Sequence, residues 1–186
     1  MENNFKEYGA FYTQNICNVF DAIDPEYVDR FLNNLLDFKR IFLAGRGRTG
    51  LILQTFAMRL VHLGKCANMI GLPITPRITK DDCLLVASGS GNTDGLVLIA
   101  EKAKREGVCL FVISSQKKAV LPEMADNVLI LQTYLGKEES DQENKVVEGT
   151  LFEQSLFITL DSMVGVIKDI EGQTFGDLSN RHVFLE

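Results

Sequence analysis

The residues best suited to chemistry in this 186-residue chain are concentrated in two short segments, Gly45-Arg46-Gly47-Arg48-Thr49-Gly50 and Ser88-Gly89-Ser90-Gly91-Asn92-Thr93. Each follows a short apolar run, Arg40–Ala44 and Cys83–Ala87, and each leads into a stretch with helical apolar spacing. Glycines let a backbone come close to an anion, and free N–H groups at a helix start bind it. Thr49, Ser88, Ser90 and Thr93 add hydroxyl donors. Taken singly, each loop reads better as a tight turn with hydroxyl caps than as a ligand site. Two such loops at equivalent strand ends point to one phosphate site. The candidate substrate- and phosphate-binding residues are therefore Gly45, Gly47, Thr49, Ser88, Gly89, Ser90, Gly91, Asn92 and Thr93.

Two familiar phosphate motifs do not fit. No Gly-Lys-Ser/Thr is present in either loop, so neither is a P-loop. Gly45, Gly47 and Gly50 satisfy G-x-G-x-x-G formally. The dinucleotide fingerprint, however, needs an acid about 20 residues on, and Asn68–Leu72 holds none. Net charge is −6, which disfavours a chain-wide grip on nucleic acid or an anionic membrane. His62 and His182 are the two histidines, too few and too far apart to suggest a metal site. Cys17, Cys66, Cys83 and Cys109 form no C-x-x-C pair and read as reduced, buried thiols. Met1-Glu2-Asn3-Asn4 opens no signal peptide pattern, and a cytoplasmic location is expected.

The loops must be held by the elements around them. Apolar residues spaced three and four apart predict a helix over Phe5–Ile23. Asp24-Pro25, a cap residue and a first-turn proline, starts a second with Tyr27, Val28, Phe31, Leu32, Leu35 and Leu36 on one face. Runs at 40–44, 67–70, 83–87, 109–113 and 128–131 are apolar without alternation, as in strands covered on both sides. Helical stretches between them end at Gly64 and Gly107. The expected fold is a three-layer α/β/α sandwich with a five-stranded, mainly parallel sheet and right-handed crossovers. It forms one domain over 1–186, with N-terminal helices over 1–38 and a C-terminal helix and tail over 149–186. Gly136–Glu148 is polar and acidic and reads as a solvated loop. Leu151–Ile167, broken by Glu153 and Asp161, reads as a buried core helix and not a membrane span.

Strand-Gly-x-Gly-Arg-Thr-Gly followed by strand-Ser-x-Ser-Gly-x-Thr resembles the sugar isomerase (SIS) domain, a flavodoxin-like fold that binds phosphosugars. Phe56–Gly64, Thr75-Pro76, Gly149-Thr-Leu-Phe-Glu153 and Arg181-His182 sharpen the resemblance to the 6-phospho-3-hexuloisomerases. It covers Ile41–Glu186 in detail. It implies conversion of D-arabino-3-hexulose 6-phosphate to fructose 6-phosphate in the ribulose monophosphate route of formaldehyde fixation. It also implies that no metal or other cofactor is needed, a homotetramer, and 3-hexulose-6-phosphate synthase as functional companion. Arg46 stands where the family has a small residue, Thr49 replaces Ser, and Asn92 replaces an expected Glu.

Moving a carbonyl from C3 to C2 needs a base for the C2 proton, a route for protons between O2 and O3, and donors for the enediolate oxygen. With Asn92 uncharged, Glu153 is the candidate base. It opens an apolar helix, where a carboxylate is costly to desolvate unless used or paired. The macrodipole favours an acid there as well. With the resemblance, His182 is the candidate proton shuttle. Arg48, in the glycine loop, reads as the partner of a substrate oxygen or of the enediolate, or as a structural ion pair. Arg59 and His62 share a helix face and read as packing or interface residues. Asp161, two turns beyond Glu153, reads as a buried, hydrogen-bonded acid or a site residue. Apolar side chains on the N-terminal helices point to subunit contacts and His182 to a neighbour's site. Two alternatives remain: another SIS phosphosugar isomerase, and a non-catalytic sugar-phosphate sensor.

Overall fold

The protein is described from a computed structural model over residues 4–133 and 149–182. The acidic segment Gly136–Glu148 and the last four residues lie outside the described residues. Helices α1 (Phe5–Asp21) and α2 (Pro25–Leu36) precede β1 (Arg40–Ala44), α3 (Gly47–His62) and β2 (Cys66–Met69). Then follow β3 (Cys83–Ala87), α4 (Asp94–Arg105), β4 (Cys109–Ser114), α5 (Val120–Met124) and β5 (Asn127–Ile130). A long helix, α6 (Thr150–Ile170), and a short one, α7 (Phe175–Asn180), complete the described chain.

The strands lie in the order β2-β1-β3-β4-β5, and all four neighbouring pairs are parallel. Continuous apolar runs make this possible, because both faces of the sheet are covered. Ile41, Leu43, Leu85, Phe111 and Ile113 face a core built with α2, α3 and α6. Phe42, Leu84, Val86, Leu110 and Val112 face a second core with α4 and α5. This is the expected three-layer arrangement. Its strand order reverses between β1 and β3, where open α/β sheets bind ligands beyond the carboxyl ends of their strands.

Local signals act as expected at several boundaries. The Asp24 side chain accepts from Glu26 N at 3.0 Å and caps α2. Gly64 and Gly107 take positive φ just past α3 and α4. α6 is long and apolar enough to cross a membrane by composition, but it packs in the core against α3 and α1. The cysteines differ from expectation: Cys83 is buried and Cys109 partly so, but Cys17 and Cys66 are exposed. Cys17 lies on a helix that buries only Asn15 and Val19, and Cys66 opens edge strand β2.

Candidate active site

Both glycine loops meet at the strand reversal. A β-carbon on Gly50 would lie 2.8 Å from the Gly45 carbonyl oxygen, so bare backbones at these two positions close the turn into α3. In the second loop, Ser88 Oγ accepts from Gly91 N at 3.2 Å and lies 3.0 Å from Thr93 Oγ1. Ser90 Oγ accepts from Asn92 N at 3.3 Å. Gly91 has φ +66, and a β-carbon there would meet Ala119 Cβ at 2.7 Å. Gly45 and Gly91 are thus placed for close backbone approach and do not line the cleft between the loops. Gly47, with φ +55, has open space where a β-carbon would be.

That cleft has a volume of about 180 Å3. Thr49, Ser88, Gly89, Ser90 and Thr93 line it, as expected. Arg46, Phe152 and Glu153 complete the wall. The first turns of α3 and α6 and the Thr93 cap of α4 all open on it. Each start presents unpaired N–H groups and the positive end of a helix dipole. In a chain of net charge −6 this concentrates positive potential where the hydroxyls are.

Gly149, at φ +79, turns the chain into α6, and Phe152 then packs on Gly89, where a β-carbon would lie 3.1 Å from the ring. That contact carries Glu153 to the cleft. Its side chain is 13% exposed, and Arg48 Nη1 lies 3.0 Å from Oε2. Arg48 Nη1 also donates to Thr150 Oγ1 at 3.4 Å. The charges are paired, yet no hydrogen bond is directed at the buried Oε2. The approach of Arg48 is close but off the direction of an N–H. Glu153 thus lines the cleft while one of its oxygens is buried without a hydrogen-bond donor.

Other candidates lie elsewhere. Asn92 turns away from the hydroxyls, and its Oδ1 accepts from Val120 N at 3.0 Å, holding the start of α5. Asp161, against the expectation of a buried acid, is exposed on α6, on a face turned from the core. His182 stacks on His62, ring centroids 4.7 Å apart, at the carboxyl end of α3. Arg181 Nη1 fixes this turn by donating to the His62 carbonyl at 3.1 Å and to Gln173 Oε1 at 2.9 Å. From Thr49 to His62 an α-helix rises about 20 Å, so His182 is not brought to the cleft of its own chain. His62 is 3% exposed. Burial pushes its pKa down, and His182 and Arg59 push it further. Among the described residues, no group of three or more His, Cys, Asp or Glu could hold a metal ion.

The model of the SIS domain matches residues 34–137, which contain both glycine loops and the whole sheet. This chain belongs to the SIS domain family. An uncharacterised protein of Archaeoglobus fulgidus is 36% identical over 94% of this chain and 96% of its own. The 3-hexulose-6-phosphate isomerase of Mycobacterium gastri is 35% identical over 97% of this chain and 94% of its own. A solved Methanococcus jannaschii protein, described as inferring a function of 3-hexulose-6-phosphate isomerase, superposes with a TM-score of 0.84. It is 30% identical and covers 97% of this chain and 99% of that one. The SIS match ends before Glu153 and His182, so those two residues lie beyond the common SIS core, in a part that the full-length relatives also span.

Among residues that line the SIS cleft, sequence reasoning missed Phe152 and gave Arg46 only an effect on substrate contacts. Arg46 was marked by its place in the first loop. Phe152 carried no signal of its own, because its approach to Gly89 is set by how α6 packs.

Proposed function

We propose that this SIS protein is a 3-hexulose-6-phosphate isomerase, acting in the cytoplasm on D-arabino-3-hexulose 6-phosphate to give fructose 6-phosphate. The observation that carries the reading is the Glu153 carboxylate, buried at the edge of an anion cradle and paired with one arginine. Relatives at 30–35% identity over nearly the whole chain supply the substrate class.

The hydroxyls of Thr49, Ser88, Ser90 and Thr93, with backbone N–H groups of both loops, take the 6-phosphate. This places the carbon chain along the wall that holds Glu153. The C3 carbonyl acidifies the C2 proton, and Glu153 removes it. The electron pair of the C2–H bond forms the C2–C3 double bond, and the carbonyl π electrons move to O3. Arg48, beside Glu153, stabilises this oxygen's charge. Protonation at C3 and loss of the O2 proton leave the carbonyl at C2. The phosphorylated 3-ketone closes only strained rings, so no ring-opening acid is needed in this direction.

His182 enters this scheme only from a second copy of the chain, since its own cleft lies at the other end of α3. A homotetramer meets this need. Exposed apolar side chains on α3 and α6, Leu51, Met58, Val61, Phe157 and Ile158, offer subunit contacts alongside Phe5 and Tyr8 of α1. The direct test mixes formaldehyde, ribulose 5-phosphate and a 3-hexulose-6-phosphate synthase. Fructose 6-phosphate should form only when this protein is added, and should still form with EDTA present. No product beyond the synthase control would overturn the reading.

A further inference from the structure

Arg46 and Arg48 flank Gly47 in one loop, and the left-handed conformation of Gly47 sends them to different places. Arg48 reaches Glu153. Arg46 lies against α4: a β-carbon built on Gly95 would be 3.5 Å from Arg46 Nη2 and 3.6 Å from Nε. Gly95 is the second residue of α4, so the guanidinium lies beside the start of that helix. Arg46 lines the same cleft as Ser88, Ser90 and Thr93. Arg48 is already engaged by a carboxylate. The Arg46 side chain has no carboxylate partner and no hydrogen bond among the described residues. A guanidinium offers several N–H groups in a plane that matches a phosphate.

We infer that Arg46 is a substrate-binding residue that grips the phosphate of the phosphosugar from the α4 side and sets affinity without taking part at the reacting carbons. This rests on the reading of the cleft as a phosphosugar site. The loop then divides its two cations: Arg46 serves the phosphate and Arg48 the carbon end. The hydroxyl cradle alone would hold a phosphate by neutral donors. Arg46 adds the side-chain positive charge.

The experiment compares wild type, Arg46→Ala and Arg46→Lys. Arg46 is exposed, and only its backbone carbonyl serves α3, by accepting from Gly50 N at 3.1 Å. The fold is therefore kept, and a melting curve run beside each assay checks it. Isothermal titration with inorganic phosphate at low ionic strength gives a dissociation constant that does not depend on turnover. The coupled assay gives KM and kcat. For Arg46→Ala we expect the phosphate dissociation constant and KM to rise together by about tenfold to a hundredfold, with kcat within about twofold. Arg46→Lys should recover part of the loss. An unchanged phosphate dissociation constant in Arg46→Ala overturns the inference. So does a fall in kcat at unchanged KM, which would put Arg46 at the reacting carbons. Should wild type bind phosphate yet form no fructose 6-phosphate, the isomerase reading falls, and the ratio of the two dissociation constants still decides for or against Arg46. Should wild type bind no phosphate, the inference falls.

Discussion

Asp82, just before β3, and Glu153, in the first turn of α6, are both largely buried acids with an arginine partner, at opposite edges of one sheet. Asp82 receives Arg40 Nε and Nη2 at 2.7 Å each, Thr79 N at 2.7 Å and Thr79 Oγ1 at 2.9 Å. Burial pushes its pKa up, but Arg40 and Thr79 outweigh that and hold it below the usual carboxylate range. Asp126, at the same amino edge, behaves alike: burial raises its pKa, while Leu110 N at 2.8 Å and Lys104 at 2.6 Å bring it below the ordinary value. Glu153 has one arginine nearby and no donor aimed at its buried oxygen. An acid whose lone pairs are filled by fixed donors resists taking a proton. Glu153 has no such set of fixed donors. The amino edge uses acids to tie strands together, and the carboxyl edge holds the acid that the proposed reaction uses as its base.

Exchanging the roles of the two edges is the way to break this comparison. Glu153→Gln keeps shape and removes the proton acceptor. It should lower kcat by at least about a hundredfold while leaving thermal stability nearly unchanged. Turnover close to wild type would take Glu153 out of the mechanism. The cradle comes next. Ser88→Ala with Ser90→Ala should raise KM by about tenfold or more, through lost donors to phosphate. An unchanged KM would place the phosphate elsewhere. Asp82→Asn should do the reverse of Glu153→Gln. It should cost about 2 kcal/mol in a denaturant titration, with kcat per folded molecule kept, because Arg40 is partly exposed and regains water. A loss of kcat in folded Asp82→Asn protein would erase the contrast between the edges.

The acid limb of stability sharpens the same point with a smaller effect. Asp82 and Asp126 both have folded pKa values below the unfolded value of about 3.9. Over that range the unfolded chain binds more protons than the folded one. Their contribution is therefore complete above the unfolded value and is lost as pH falls through the depressed folded values. Melting temperature should drop below about pH 4, and the Asp82→Asn protein should show a shallower drop. Equal slopes for the two proteins would contradict the role given to Asp82.

The sheet was legible because five apolar runs lacked alternation, which leaves little room for anything but covered parallel strands. The caps at Asp24, Gly64 and Gly107 were legible because each is a local backbone requirement. Helix α5 was missed: Val120–Met124 is too short to show a period, and the Asn92 side chain that holds its start comes from a distant loop. Helix α7 was read as tail, although Thr174 and Asp177 form a capping box that the sequence displays. In the site, the glycine and hydroxyl residues declared themselves at strand ends. Arg46 against Gly95 and Phe152 against Gly89 did not, since both contacts exist only once helices have packed. The place of His182 was hidden for the same reason, because Arg181 ties that turn to the carbonyl of His62.

The central claim, a carboxylate base working between C2 and C3, is open to one measurement. Fructose 6-phosphate incubated with the protein in D2O runs the reaction backwards, and NMR reports which carbon gains deuterium. With wild type, deuterium should enter at C3 and not at C1, and with Glu153→Gln it should enter at least about a hundredfold more slowly. Deuterium at C1, or exchange in Glu153→Gln at the wild-type rate, would contradict the account.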